Sequence, residues 1–130
     1  MFSHVFVSVT DFDRAMAFYR PVMAALGLQE RFSEPDVPWT GWHSAGGGRP
    51  LFLVGKPVDG APHASGNGQM TAFIAASRAV VDAAHEQALR HGGLSEGAPG
   101  LRPQYHAHYY GAYFRDPDGN KLAVACHEAA

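Results

Sequence analysis

Histidine and tyrosine carry most of the chemistry open to this chain. Eight histidines occur in 130 residues, and they are densest in LRPQYHAHYYGAYF, where His106 and His108 stand among Tyr105, Tyr109, Tyr110 and Tyr113. On an extended backbone alternate residues share a face, so the rings of His106 and His108 would point one way and could ligate a divalent metal if His4, His43 or His63 approached them. The competing reading needs no such convergence. Phenols and imidazoles serve there as polar handles on an aromatic rim, which suits a planar or weakly cationic organic molecule. An aromatic rim is therefore the expected role of this segment. Two roles stand open for His4: hydrogen-bond donor or base toward a ligand, and satisfied residue on an apolar strand.

Other reactive groups have plainer readings. The lone Cys126 excludes an internal disulfide and a thiolate zinc cluster, and with no identifiable base beside it reads as a small buried hydrophobe. Trp39 and Trp42 are core or dimer anchors as readily as ligand platforms. Gly46-Gly47-Gly48 precedes a strand and lacks the strand-then-helix context of a phosphate loop. Hydrolase, zinc-protease and nucleotide motifs are absent. A net charge of -2 with scattered Lys and Arg offers no footprint for nucleic acid. No apolar run is long enough to span a bilayer, and MFSHVFVSV has no basic leader, so the expected location is cytoplasmic, with no membrane partner.

The elements that position these groups form a repeat. Val5, Val7 and Val9 alternate with Phe2, His4, Phe6 and Ser8, the pattern of a strand covered on both sides. Asp11 caps a helix with the stripe Ala15, Phe18, Val22 and Leu26, stopped by Gly27. An offset of 66 residues superposes a second copy: the strand 69–75, the cap Ser77, and the stripe Val81, Ala84, Ala88 and Leu89 before Gly92-Gly93. Short strands follow each helix: 28–32, 39–44 and 51–55, then a weak one near Leu94, 109–115 and 121–126. The chain therefore reads as one α+β domain over 1–130, with a βαβββ unit at 1–55, a Pro- and Gly-rich linker at 56–68 and a second βαβββ unit at 69–127. Residues 96–108 read as a long loop.

HVFVSVTDFDRAMAFY, GNGQMTAF and YFRDPDGNKLAV together resemble the signature segments of the glyoxalase, bleomycin-resistance and extradiol-dioxygenase (vicinal oxygen chelate) superfamily, over essentially the whole chain. The resemblance implies paired βαβββ units whose curved mixed sheets form a cup, within a homodimer. It also implies a metal held from the first and last strands of each unit, at positions that fall here on His4, Phe52, Met70 and Ala123. Only His4 suits a hard divalent ion, because Phe and Ala carry no donor and a thioether prefers Cu(I). The second unit would ordinarily have His for Met70 and Glu for Ala123. The expectation is thus a protein that binds a small organic molecule, without cofactor, through His4, Phe6, Phe52, Met70, Tyr105, His106, Tyr109, Tyr110 and Ala123. The alternative is a lyase, isomerase or dioxygenase whose Zn, Ni, Mn or Fe is held by His4 and His106.

Overall fold

Both helices begin and end where local chemistry directs. The computed structural model describes all 130 residues. Its elements run β1 (His4–Ser8), α1 (Phe12–Ala25), β2 (Gln29–Glu34), β3 (Trp39–His43), β4 (Leu51–Gly55), β5 (Thr71–Ile74), α2 (Arg78–Arg90), β6 (Leu94–Leu101), β7 (Tyr110–Arg115) and β8 (Lys121–Cys126). At the start of α1 the Asp11 carboxylate accepts from the Arg14 N–H at 3.1 Å, and the Ser77 hydroxyl does the same for Val80 at 3.2 Å in α2. Each side chain satisfies a backbone donor that the first turn cannot. Gly27 ends α1 at φ +76°, a conformation that costs other residues a steric penalty.

Each βαβββ unit forms its own open four-stranded sheet, in the orders β1-β4-β3-β2 and β5-β8-β7-β6. The β1–β4 and β5–β8 pairs are parallel and the others antiparallel, so both sheets are mixed. The α+β architecture of two βαβββ repeats is therefore present. β1 and β5 lie at sheet edges and do not pair with each other.

The two helices share one core. Ala15, Phe18 and Val22 of α1 and Val81, Ala84 and Ala88 of α2 are fully buried with Val54, Phe114, Leu122 and Val124 from both sheets. Phe18 meets Phe114 edge-on at 6.2 Å, which joins the first helix to the second sheet. Removing a ring of that size from water contributes about 2–3 kcal/mol. Leu89 departs from the expected stripe, being 43% exposed, and His85 is buried in its place. The residue is one helical step off the stripe, and the imidazole there finds the Ser95 hydroxyl at 2.9 Å. The region 96–108 is also only partly loop, because β6 continues to Leu101. Its Gly and Pro residues sit at irregularities in the pairing with β7 rather than ending the strand.

A polar clamp ties the second sheet to the first unit. Asp116 is 3% exposed. Its carboxylate accepts from the Tyr19 hydroxyl at 2.5 Å, the Asn120 side-chain amide at 2.8 Å, and the backbone N–H groups of Asp118 and Asn120, both at 2.9 Å. Burial, then the neighbouring Asp116 charge, pushes the Tyr19 phenol well above its ordinary value, so it remains a donor. Asn120 also donates to the Ser8 carbonyl at 2.9 Å, and Asp118 accepts from the Thr10 N–H and the Arg14 guanidinium. The turn between β7 and β8 is thus fastened to the junction of β1 and α1.

Candidate functional site

Register decides which residues face the helices and which face away. In the second sheet Leu122, Val124 and Cys126 belong to the core, so Ala123 and Ala125 face outward. Ala123 pairs with Ala72 on one side and Tyr113 on the other, and Tyr113 pairs with Gly97. Ala125 pairs with Ile74 and Gly111, and Gly111 with Gly100. The result is a floor of small residues from which Tyr113 rises. Tyr109 lies over this floor, because a β-carbon at Gly111 would come within 2.8 Å of its ring. The Arg102 guanidinium lies against Gly97 and Gly100, where added β-carbons would fall 3.2 and 3.1 Å from it. Glycine at 97, 100 and 111 is what lets these side chains lie flat on the sheet.

The chemistry of this face is phenolic and cationic. The Tyr109 and Tyr113 hydroxyls are 3.0 Å apart. Arg102 and Lys121 each sit 5.6 Å from the centre of the Tyr113 ring. Arg102 spends one N–H on the Ala98 carbonyl at 2.8 Å, and neither cation lies within ion-pair distance of a carboxylate. Burial and the Tyr109 hydrogen bond raise the Tyr113 phenol above its ordinary value, so at neutral pH it is a hydroxyl and not a phenolate.

At the rim, Tyr105 packs on Tyr109 at 4.9 Å, and Tyr109 meets both His106 and His127 edge-on, at 5.7 and 5.2 Å. His106 Nδ1 accepts from the His108 backbone N–H at 3.1 Å, so a neutral His106 carries its proton on Nε2 and donates to His127 Nδ1 at 2.8 Å. His108 therefore contributes its backbone, and the ring beside His106 is that of His127. His127 was not among the sequence candidates. It lies 21 residues away from His106, just past β8, and no spacing signal marks it.

The first sheet presents a different face. Val5 pairs with Phe52 and Val7 with Val54, all on the helix side, so His4, Phe6 and Ser8 face outward beside Leu51, Leu53 and Gly55. Phe32 lies over Gly41 and packs against Trp39 at 5.1 Å, and the Trp39 indole N–H donates to Glu34 at 3.1 Å. His4 contacts the Ser3 hydroxyl at 2.9 Å.

Two expected site residues point the wrong way. Phe52 is in the core against Tyr19, Trp42 and Phe73. Leu53 is its outward neighbour and the register counterpart of Ala123, since Phe6 pairs with Leu53 as Ala72 pairs with Ala123. Tyr110 also faces the helices, donating to Asp82 at 2.6 Å with the Arg78 guanidinium 5.3 Å from its ring. Tyr113 takes the outward position instead. His4, Phe6, Met70, Tyr105, His106, Tyr109 and Ala123 are not on the helix side, although Ala123 is fully covered and Tyr105 is 61% exposed.

A groove of about 270 Å³ runs between β1 and β5, with Phe6, Met70, His63 and Lys121 in its lining. Tyr109, Tyr113 and Arg102 are not in that lining, and Lys121 is the residue common to the groove and the phenolic face. The donor set for the metal implied by the resemblance becomes His4, Leu53, Met70 and Ala123 once register is applied. These side chains do not fit a hard divalent ion, and no three His, Cys, Asp or Glu side chains are grouped to hold one.

The family model of the glyoxalase/bleomycin resistance protein/dioxygenase superfamily matches residues 1–124. A glyoxalase/bleomycin resistance protein from Albidiferax ferrireducens T118 is similar at 33% identity, with 96% of this chain and 98% of that one covered and a TM-score of 0.85. A glyoxalase-related enzyme from Fulvimarina pelagi shares the fold at 16% identity, 97% and 87% coverage and a TM-score of 0.72. A lactoylglutathione lyase from Agrobacterium tumefaciens shares it at 23% identity, 97% and 92% coverage and a TM-score of 0.64. No curated protein matches the chain. By the family model, by the similarity to the Albidiferax protein and by the paired βαβββ units, this chain belongs to the glyoxalase/bleomycin resistance protein/dioxygenase superfamily.

Proposed function

We propose that this protein binds a small organic molecule carrying an aromatic or apolar body and an acidic group, and that it does so without a metal at the superfamily's usual position. The observation that carries the reading is the Tyr113 cluster. Two partly buried cations flank a neutral phenol on a floor of Ala and Gly: Arg102, with no carboxylate beside it, and Lys121, which lies beyond ion-pair distance of Glu96 but still acts on its charge. A buried or half-buried cation is costly unless paired, and an incoming carboxylate or phosphate supplies the missing partner through charge-assisted hydrogen bonds. A cationic ligand is disfavoured, because Arg102 and Lys121 already occupy the surroundings of the Tyr113 ring. The apolar body would lie against Met70, Ile74 and Phe6, which are 46%, 78% and 38% exposed.

A homodimer is part of the same proposal. The outer edges of β1 and β5 are unpaired, and the exposed apolar side chains beside them form a patch of the kind that a second copy covers. No helix is long and apolar enough to cross a membrane.

The test is a thermal-shift and calorimetric screen of aromatic carboxylic acids against their methyl esters, on protein purified without a His-tag and analysed for metal. Acids that stabilise the protein more than their esters do, with no stoichiometric metal, support the proposal. Tight binding of one Zn, Ni, Mn or Fe ion that is lost in His4→Ala would overturn it.

A further inference from the structure

Ser8, His63 and Ser65 form a hydrogen-bond relay that the ligand site above does not use. Ser8 is the last residue of β1, on its outward face. His63 and Ser65 belong to the segment between the two sheets. The Ser8 hydroxyl lies 2.6 Å from His63 Nδ1, and His63 Nε2 lies 3.2 Å from the Ser65 hydroxyl. Ser65 in turn donates to the Asp118 carbonyl at 3.1 Å.

Proton counting fixes the direction of this chain. A carbonyl oxygen only accepts, so the single Ser65 proton is committed to Asp118, and Ser65 must accept from His63 Nε2–H. A neutral imidazole protonated on Nε2 has its lone pair on Nδ1, so the Ser8 hydroxyl donates to it. A serine hydroxyl aimed at an imidazole whose far N–H is held by a third group is the arrangement of an activated nucleophile, base and orienting residue. The β7–β8 turn holds both ends, since Asn120 donates to the Ser8 carbonyl while Asp118 anchors Ser65. All three side chains line the groove between β1 and β5, and Lys121 is the only Lys or Arg in that lining.

We propose that Ser8 is a nucleophile, with His63 as its base and Ser65 as a positioning residue, and that the groove accepts small activated acyl esters. Ser8 Oγ forms a bond to the acyl carbon as its proton passes to His63 Nδ1. The resulting oxyanion faces a groove that holds the new His63 imidazolium and, as its only Lys or Arg, Lys121. The bond to the leaving alkoxide or phenoxide then breaks, and His63 returns the proton to it, leaving an acyl ester on Ser8. Water, deprotonated by His63, adds to that ester and releases the carboxylic acid and the Ser8 hydroxyl. With a hydroxyl instead of a carboxylate behind the imidazole, the imidazolium gains little electrostatic support. Esters with good leaving groups are therefore the substrate class, and amides are not.

The proposal is tested with a fluorophosphonate probe and with p-nitrophenyl acetate. The probe forms a Ser8 Oγ–phosphorus bond and expels fluoride, while the proton goes to His63. Intact mass and peptide mapping should find one label per chain, on Ser8. Ser8→Ala should abolish labelling and p-nitrophenol release, and His63→Ala should slow both by on the order of a hundredfold, the contribution of a positioned base. Ser65→Ala should slow them several-fold and Ser65→Thr should restore them, a rescue that a merely structural role would not show. Melting curves of each variant verify that it folds. An unlabelled Ser8 in the folded wild type overturns the proposal, as does labelling that is undiminished in Ser8→Ala or His63→Ala.

Discussion

The outward faces of the two sheets are built on one topology and carry opposite chemistry. On the first, Phe6, Phe32 and Trp39 stand over Gly41 and Gly55, and the indole is tied to Glu34. On the second, the strand partners are Ala and Gly, and the space above them holds Tyr109, Tyr113 and Arg102. In both, glycine permits a large side chain to lie against the sheet. The first half uses that space for aromatic surface and the second for phenols and cations. A duplicated unit can thus keep its core stripe and strand register while each outward face is chosen independently, because alternate residues of a strand answer to different surroundings.

This division can be broken in stages. The largest effect is expected at the clamp that holds the faces in relation to each other. Asp116→Ala would leave Tyr19, Asn120 and two backbone N–H groups without their acceptor, at a cost of about 3–5 kcal/mol in a urea unfolding measurement. A loss below about 1 kcal/mol would mean that the turn and β1 are not energetically joined.

Smaller effects separate the two faces. Arg102→Gln removes a charged donor from the phenolic face and should weaken binding of an aromatic acid by roughly tenfold or more in calorimetry. Binding of its methyl ester should be unaffected. Phe6→Ala, on the apolar face, should weaken acid and ester alike. If both variants weaken acid and ester by one common factor, the assignment of charge recognition to one face and apolar packing to the other fails.

The smallest effect is in the pH dependence of stability. Burial holds His85 below its ordinary value of 6.5, opposed by the charge of Asp82. The unfolded chain therefore takes up this proton more readily than the folded one. Stability from this group is fully present above that ordinary value and is lost as pH falls below it, until the folded imidazole also titrates. His85→Gln should flatten this acid-side slope in urea titrations between pH 7 and 5, with little change at pH 8.

Much of the architecture was legible from spacing alone. The caps Asp11 and Ser77, the stop at Gly27, the alternation of β1 and the 66-residue repeat all depend on residues a few positions apart, and each is realised where the sequence places it. The candidate site was legible in part. The tyrosine- and histidine-rich segment was visible as composition, yet the outward phenol is Tyr113 and not Tyr110, because the phase of alternation depends on where β7 begins. In β4 every residue of LFLVG is buried, so the apolar run carries no phase that could correct the position implied by the resemblance, and Phe52 stands where Leu53 faces outward.

The sequence by itself determined the order of the elements and their duplication, though not the length of β6, since backbone propensity, capping and periodicity act within one or two turns of the chain. Only the tertiary structure decided which set of alternating residues meets the helices, because that depends on the partner strand's register and on which layer covers it. It also decided the pairing of His106 with His127 and of Ser8 with His63, separated by 21 and 55 residues. Contacts between groups so far apart are set by how loops fold back over a packed core, which no local pattern encodes.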